Sequence, residues 1–212
     1  MATPILPPIN KDSPISDLHI HLQDIINNIN PPTSTLAIYD HIASFYSGKE
    51  KTNSINGWPG HKDNKTFADF LNFKIDDATT RIGLFTTFNQ TWVGAKVHWS
   101  KIQMHAWVGI VANTSEGKGK VVVFWDSNAK EYLEKARKKP KFSWKTTLAG
   151  GQKRFLERCK DRKINVKEIW LGGLGNEGKE DCLKLSLDWM KEMVKVGKFE
   201  VEKLKDMGFE KF

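Results

Sequence analysis

Two apolar runs around one polar turn constrain this chain most. Met104–Val111 and Lys120–Trp125 are rich in Val, Ile, Phe and Trp, and Asn113-Thr114-Ser115-Glu116-Gly117-Lys118-Gly119 lies between them. β-branched and aromatic runs on both sides of a glycine-containing turn predict a hairpin. The two arms have nearly equal length, so Ile110 is expected to face Val121 and His105 to face Asp126 without a bulge. Opposed Cβ atoms lie about 4.5–5.5 Å apart, within reach of a His–Asp hydrogen bond.

Helical periodicity comes first along the chain. In Asp17–Ile29, Leu18, Leu22, Ile25 and Ile29 share a face, Ser16 caps the start and Pro31-Pro32 ends it. A second helix is expected over Leu36–Tyr46, with Gly48 as its stop, then a loop over 48–64 and a short aromatic helix at Thr66–Phe73. Arg81–Phe88 and Thr91–Trp99 read as extended. After the hairpin come helices at Ala129–Lys138 and Leu148–Lys160, a strand at Val166–Leu171 and a glycine-rich loop, Gly172–Gly178. An amphipathic helix then spans Cys182–Val196, its core face being Leu185 (or Leu183), Trp189, Met193 and Val196, and a last helix spans Phe199–Met207. This order predicts an α+β fold, a central mainly antiparallel sheet flanked by helices. It would form a single domain over 15–212 behind a flexible arm of residues 1–14.

Hydrophobic residues make up 39% of the 212 and charged residues 27%, which suits a globular chain with a real core. No apolar run approaches the roughly 20 residues that span a bilayer, so no membrane partner is expected. Met1–Pro14 lacks a basic start followed by an apolar stretch, unlike a secretory signal. With only Cys159 and Cys182, a disulfide framework is not expected, and a reducing cytoplasmic or nuclear setting follows. The glycosylation patterns at Asn64, Asn89 and Asn113 would be idle there. His19 and His21 face apart on a helix, and no metal site or other cofactor is expected. The net charge of +8 is uneven: residues 130–163 hold thirteen Lys or Arg against four Asp or Glu, a net of +9. Such a block reads either as solvated helix faces or as a surface for an acidic partner or nucleic acid.

The chemistry centres on Cys182. It opens a helix just after a glycine-rich loop, where unpaired N–H groups and the helix dipole favour a thiolate and can stabilise an oxyanion. Cys159 sits within a basic amphipathic helix, where a cysteine is usually a small apolar filler. His105 supplies a base, and Asp126 a carboxylate to orient it.

Along the chain the order is His105, Asp126, Asn176, Cys182. His105-Ala106-Trp107-Val108-Gly109-Ile110-Val111, Val121-Val122-Val123-Phe124-Trp125-Asp126-Ser127 and Asn176-Glu177-Gly178-Lys179-Glu180-Asp181-Cys182 carry it. These strings resemble the sentrin/SUMO-specific and adenoviral protease family, whose order is His, Asp or Glu, Gln, Cys. The resemblance covers about residues 81–196. It implies a papain-like fold in circularly rearranged order and cleavage after the C-terminal glycine of a ubiquitin-like modifier, as in deSUMOylases and deubiquitinases. It also implies an oxyanion donor at Asn176 and a substrate-channel wall at Trp107; the other reading of Trp107 is core. Three positions depart from the family pattern: Asn176 stands for Gln, Leu183 follows the nucleophile in place of Gly, and Ala106 separates His105 from its Trp. His98-Trp99 is a competing His-Trp pair. The alternatives are a protease-fold binding module acting through residues 130–163, and an acetyltransferase with the same triad.

Overall fold

The computed structural model describes residues 6–8, 15–28, 36–39, 43–46, 70–71, 79–89, 92–93, 96–97, 103–175 and 181–212. Helix α1 (Ile15–Asn27) comes first, followed by two short strands, β1 (Leu36–Ile38) and β2 (Ala43–Tyr46). Strand β3 (Thr80–Asn89) and the small pair β4 (Trp92–Val93) and β5 (Lys96–Val97) lead to the long hairpin β6 (Gln103–Asn113) and β7 (Lys120–Asp126). Then come α2 (Ala129–Arg137), α3 (Trp144–Thr147), α4 (Gly150–Asp161), β8 (Val166–Gly172), α5 (Cys182–Val196), a 3-10 turn at Val201–Lys203 and β9 (Glu210–Lys211).

The fold is α+β, and its sheet is mixed. Seven strands join in the order β1-β3-β6-β7-β8-β9, with β2 also on β3. The β3–β6–β7 centre is antiparallel, while β1 and β2 run parallel along β3 and β8 parallel along β7. Helices α1 and α5 cover one face, over Ile82, Leu84, Val108, Ile110, Val121 and Val123. Helices α2 and α4 cover the other, over Phe85, Trp107, Val122 and Phe124. Burial on both faces explains why β7 reads as an unbroken apolar run.

The expected helix over Leu36–Tyr46 is instead β1 and β2, and its residues 40–42 lie outside the described ones. Tyr39, Ile42 and Tyr46 fit a helical period, but this β-branched and aromatic stretch lies against the outer edge of β3. The Tyr39 N–H bonds the Ile82 carbonyl at 2.8 Å, and tertiary pairing outweighs the local pattern. Of the expected helix at Thr66–Phe73, only Phe70 and Leu71 are described, and they are helical. The last helix shrinks to the 3-10 turn, ahead of Gly208 at φ 80°. The core face of α5 is Leu183, Leu187, Met190, Met193 and Val194, and Val196 is exposed. Of the expected arm, residues 6–8 are described: the Pro7 carbonyl oxygen accepts from the His21 ring at 2.7 Å.

The hairpin register also differs. Ile110 faces Val123, and Trp107, not His105, faces Asp126. The turn takes all six residues from Thr114 to Gly119: Thr114 N–H donates to the Gly119 carbonyl at 3.0 Å, with Gly117 at φ 69°. The slip is two residues, and an even slip keeps every side chain on its face. His105 therefore becomes the diagonal neighbour of Asp126, still on the same side.

Beside them, Trp107 stacks on its cross-strand partner Phe85, with ring centroids 4.7 Å apart. The pair leans over Gly83 and Gly109, themselves cross-strand partners, and a Cβ at Gly109 would come within 2.7 Å of the Phe85 ring. Phe155 of α4 closes the cluster edge-on. Trp107→Ala is expected to lower the unfolding free energy by about 3–5 kcal/mol in urea titrations. A loss below about 1 kcal/mol would mean that the cluster does not hold the centre of the sheet.

Candidate active site

Asp126 ends β7 and is wholly buried. A buried carboxylate needs several donors, and three are present. His105 Nε2 lies 2.8 Å from Oδ1, the Asn128 N–H donates to the same oxygen at 2.8 Å, and Gln152 Nε2 donates to Oδ2 at 2.6 Å. The chain just beyond β8 closes over the Asp126 backbone. At Gly173, φ is 144°, and a Cβ would come within 2.0 Å of the Asp126 carbonyl oxygen, so only glycine fits.

Strand β6 runs past the end of β7. Its ladder with β7 stops at Trp107, whereas its ladder with β3 continues to Gln103. The Ala106 N–H therefore faces an open edge, and it donates to Cys182 Sγ at 3.3 Å. Cys182 is half-buried at the first position of α5. The Asp181 carboxylate caps that helix by accepting the Leu183 N–H at 2.9 Å.

His105 stands between the two groups, hydrogen-bonded to Asp126 and close enough to Cys182 to interact with it. Since Nε2 meets Asp126, Nδ1 is the ring nitrogen left for the thiol. Burial pulls the imidazolium's pKa down, but the bonds and negative charges of Asp126 and Cys182 outweigh it and raise the value from 6.5 to about 10. Nearby, burial first, then the charge of Asp126, pushes the Tyr132 phenol up to about 12, so it remains a hydrogen-bond donor. Cys159 differs from Cys182 in every respect: it is wholly buried among apolar side chains, and that burial pushes its thiol up to about 12.

The structure thus brings His105, Asp126 and Cys182 together. Asn176 lies outside the described residues, as does the competing His98-Trp99 pair. Trp107 is 0% exposed, stacked in the core, with no surface left for a substrate. Leu183 is equally buried, in the core beneath α5. Gln152 was not anticipated. Its partner is 26 residues away, and the one local sign is its place three residues after Ala149, whose N–H donates to Gln152 Oε1 at 3.0 Å. Among the described residues, no group of three or more His, Cys, Asp or Glu could hold a metal ion, and no helix is long and apolar enough to cross a membrane.

No protein-family model matches the chain, and no curated protein matches it. Among solved structures it is similar to the Legionella pneumophila effector protein RavZ. Against RavZ residues 20–502 the identity is 12% and the TM-score 0.45, over 92% of this chain and 59% of that one. Against residues 1–487 the values are 10% and 0.43, over 78% and 43%. Against RavZ in complex with human LC3B they are 11% and 0.35, over 79% and 39%. The chain spans about half the length of these structures.

The raised His105 value has a definite sign. Relative to 6.5, the protonated ring is favoured in the fold, so it stays an imidazolium through neutral pH and loses its proton only as pH rises through about 10. Asp126→Asn weakens the largest raising contribution, the hydrogen bond to the Asp126 carboxylate, and removes that residue's charge. The NMR titration of the His105 ring is therefore expected near 10 in the wild type and displaced downward in Asp126→Asn. An unchanged midpoint in the variant would exclude Asp126 as the cause.

Proposed function

We propose that the chain is a cysteine peptidase that cleaves after the C-terminal glycine of a ubiquitin-like modifier. The observation that carries this reading is the series Asp126–His105–Cys182, with Asp126 hydrogen-bonded to His105, His105 beside Cys182 and the thiol at the first residue of a helix. In this reading the working form of the site pairs a His105 imidazolium with a Cys182 thiolate. The thiolate adds to the substrate carbonyl. The C–N bond breaks as His105 gives its proton to the leaving amine, and a thioester remains on Cys182. Neutral His105 then takes a proton from water, the hydroxide adds to the thioester, and the thiolate leaves as the partner of a renewed imidazolium.

The oxyanion donors in this reading are the Cys182 N–H, which as the first of its helix has no intrahelical acceptor, and the Asn176 amide. The choice of a glycine-terminated modifier comes from the sequence resemblance; the triad chemistry fits any acyl group of the right shape. A ubiquitin-family protein with a C-terminal electrophile is expected to label Cys182. Cys182→Ala should abolish labelling, and His105→Ala should slow it by about 10²-fold or more. Asn176→Ala should cost about 10²–10³ and Asn176→Gln little or nothing. A probe panel of ubiquitin, SUMO-type and other modifiers that never labels the wild-type protein would overturn the reading.

A second surface favours an anionic partner alongside catalysis. Residues 137–142 are all exposed at the end of α2, and Phe142, 41% exposed, stacks on Phe212. Among the described residues, Lys138, Lys139, Lys141 and Lys145 form no ion pair; Lys145 lies 5.6 Å from the Trp144 ring centre. By contrast, Lys135, Arg137 and Arg158 of the same block pair with Glu131, Glu210 and Asp161. Replacing Lys138, Lys139 and Lys141 by Ala should weaken binding to an acidic protein or a nucleic acid at low salt and matter little at high salt, where the Debye length is about 3 Å at 1 M. Equal binding by variant and wild type to every acidic ligand at low salt would leave the block as a solvated face.

A further inference from the structure

We propose that Gln152 is a positioning residue for the triad, acting through Asp126 to hold His105 in register with Cys182; this rests on the peptidase reading above. Gln152 is wholly buried, in the first turn of α4. Its amide is used at both ends. Oε1 accepts the Ala149 N–H, which fixes which way the amide faces, and Nε2 is thereby aimed at Asp126 Oδ2, 2.6 Å away. The Asn128 N–H holds the other carboxylate oxygen, the one His105 also meets. The two donors approach different oxygens from different elements, the loop into α2 and the first turn of α4. The carboxylate plane is therefore set before His105 is considered, and the position left on Oδ1 is the one the imidazole takes.

A glutamine chosen only to fill space would not need this geometry. Its neighbours on α4 that face the sheet, Phe155, Leu156 and Cys159, are apolar, and a leucine would fill the same volume. What a leucine lacks is the donor. Without it Asp126 Oδ2 stays buried and unpaired, which favours a turned or protonated carboxyl and a weaker hold on His105.

The experiment uses the full chain and two readouts: the NMR titration of the His105 ring, and the iodoacetamide rate at Cys182 by mass spectrometry, with Cys159 as internal reference. In Gln152→Leu, the His105 midpoint is expected to fall from about 10 toward 6.5, and Cys182 alkylation to slow about tenfold or more. Gln152→Glu keeps the shape. Its protonated form can donate to Asp126 as the amide does, whereas its ionised form sets a like charge against it. That variant should hold wild-type alkylation at low pH and lose it as pH rises, with a pH profile displaced to the acid side.

A His105 midpoint and an alkylation profile that match the wild type in Gln152→Glu overturn the proposal, whether or not Gln152→Leu folds. A wild-type Cys182 no more reactive than Cys159 sinks the peptidase reading alone; the His105 titration still decides whether Gln152 positions the ring.

Discussion

One buried charge organises this molecule. The Asp126 carboxylate has no exposure to water, and leaving it without partners would cost about 3–5 kcal/mol, a large share of a domain's stability. Its three donors come from three parts of the chain: β6 through His105, the loop into α2 through the Asn128 N–H, and α4 through Gln152. Helices α2 and α4 are thus tied to the end of β7 by hydrogen bonds as well as by their apolar faces. The same bonds hold the imidazole beside Cys182, so the partners that folding requires for Asp126 are also what the proposed peptidase chemistry would use.

The sheet supplies the rest of the geometry by unequal strand lengths. Because β7 stops at Asp126 while β6 continues, four residues of β6 have β3 on one side and, among the described residues, no strand on the other. The start of α5 occupies that gap, and the Ala106 N–H that would have bonded another strand meets the Cys182 sulfur instead. The Phe85–Trp107 stack on the opposite face, seated over Gly83 and Gly109, keeps β3 and β6 from sliding past one another at this point. A one-residue slip of β6 against β7, by contrast, would turn His105 away from Asp126.

What could be read in the sequence follows from how local each feature is. The hairpin strands were legible because burial on both faces leaves an apolar run that few other elements produce. The His105–Asp126 pairing was legible even though the register was two residues off, since a two-residue error preserves the face. The helix over Leu36–Tyr46 was misread because β1 and β2 owe their form to the edge of β3, some forty residues later. Trp107 shares a face with His105 and reads equally well as channel wall or core; the structure puts it under Phe155. Gln152 was invisible, because nothing within its own helix tells a capping glutamine from one that also reaches a carboxylate across the core.

Leu183 shows how a departure from a family pattern can change meaning once the helix is in place. In the proposed peptidase reading, a bulky residue in place of glycine after Cys182 would be expected to crowd the substrate. Successive helical residues, however, are turned by about 100° from one another, and that rotation separates the two side chains. Cys182 faces the open edge of β6, whereas Leu183 drops into the core with Leu187, Met190 and Val194. Full burial of such a side chain is worth about 1.5–3 kcal/mol, and it acts on the first turn, where a helix otherwise frays. Asp181 secures the same turn from outside by taking the Leu183 N–H. The leucine therefore fixes the height of the sulfur relative to the end of β7, and a glycine there would leave the thiol less firmly held against His105.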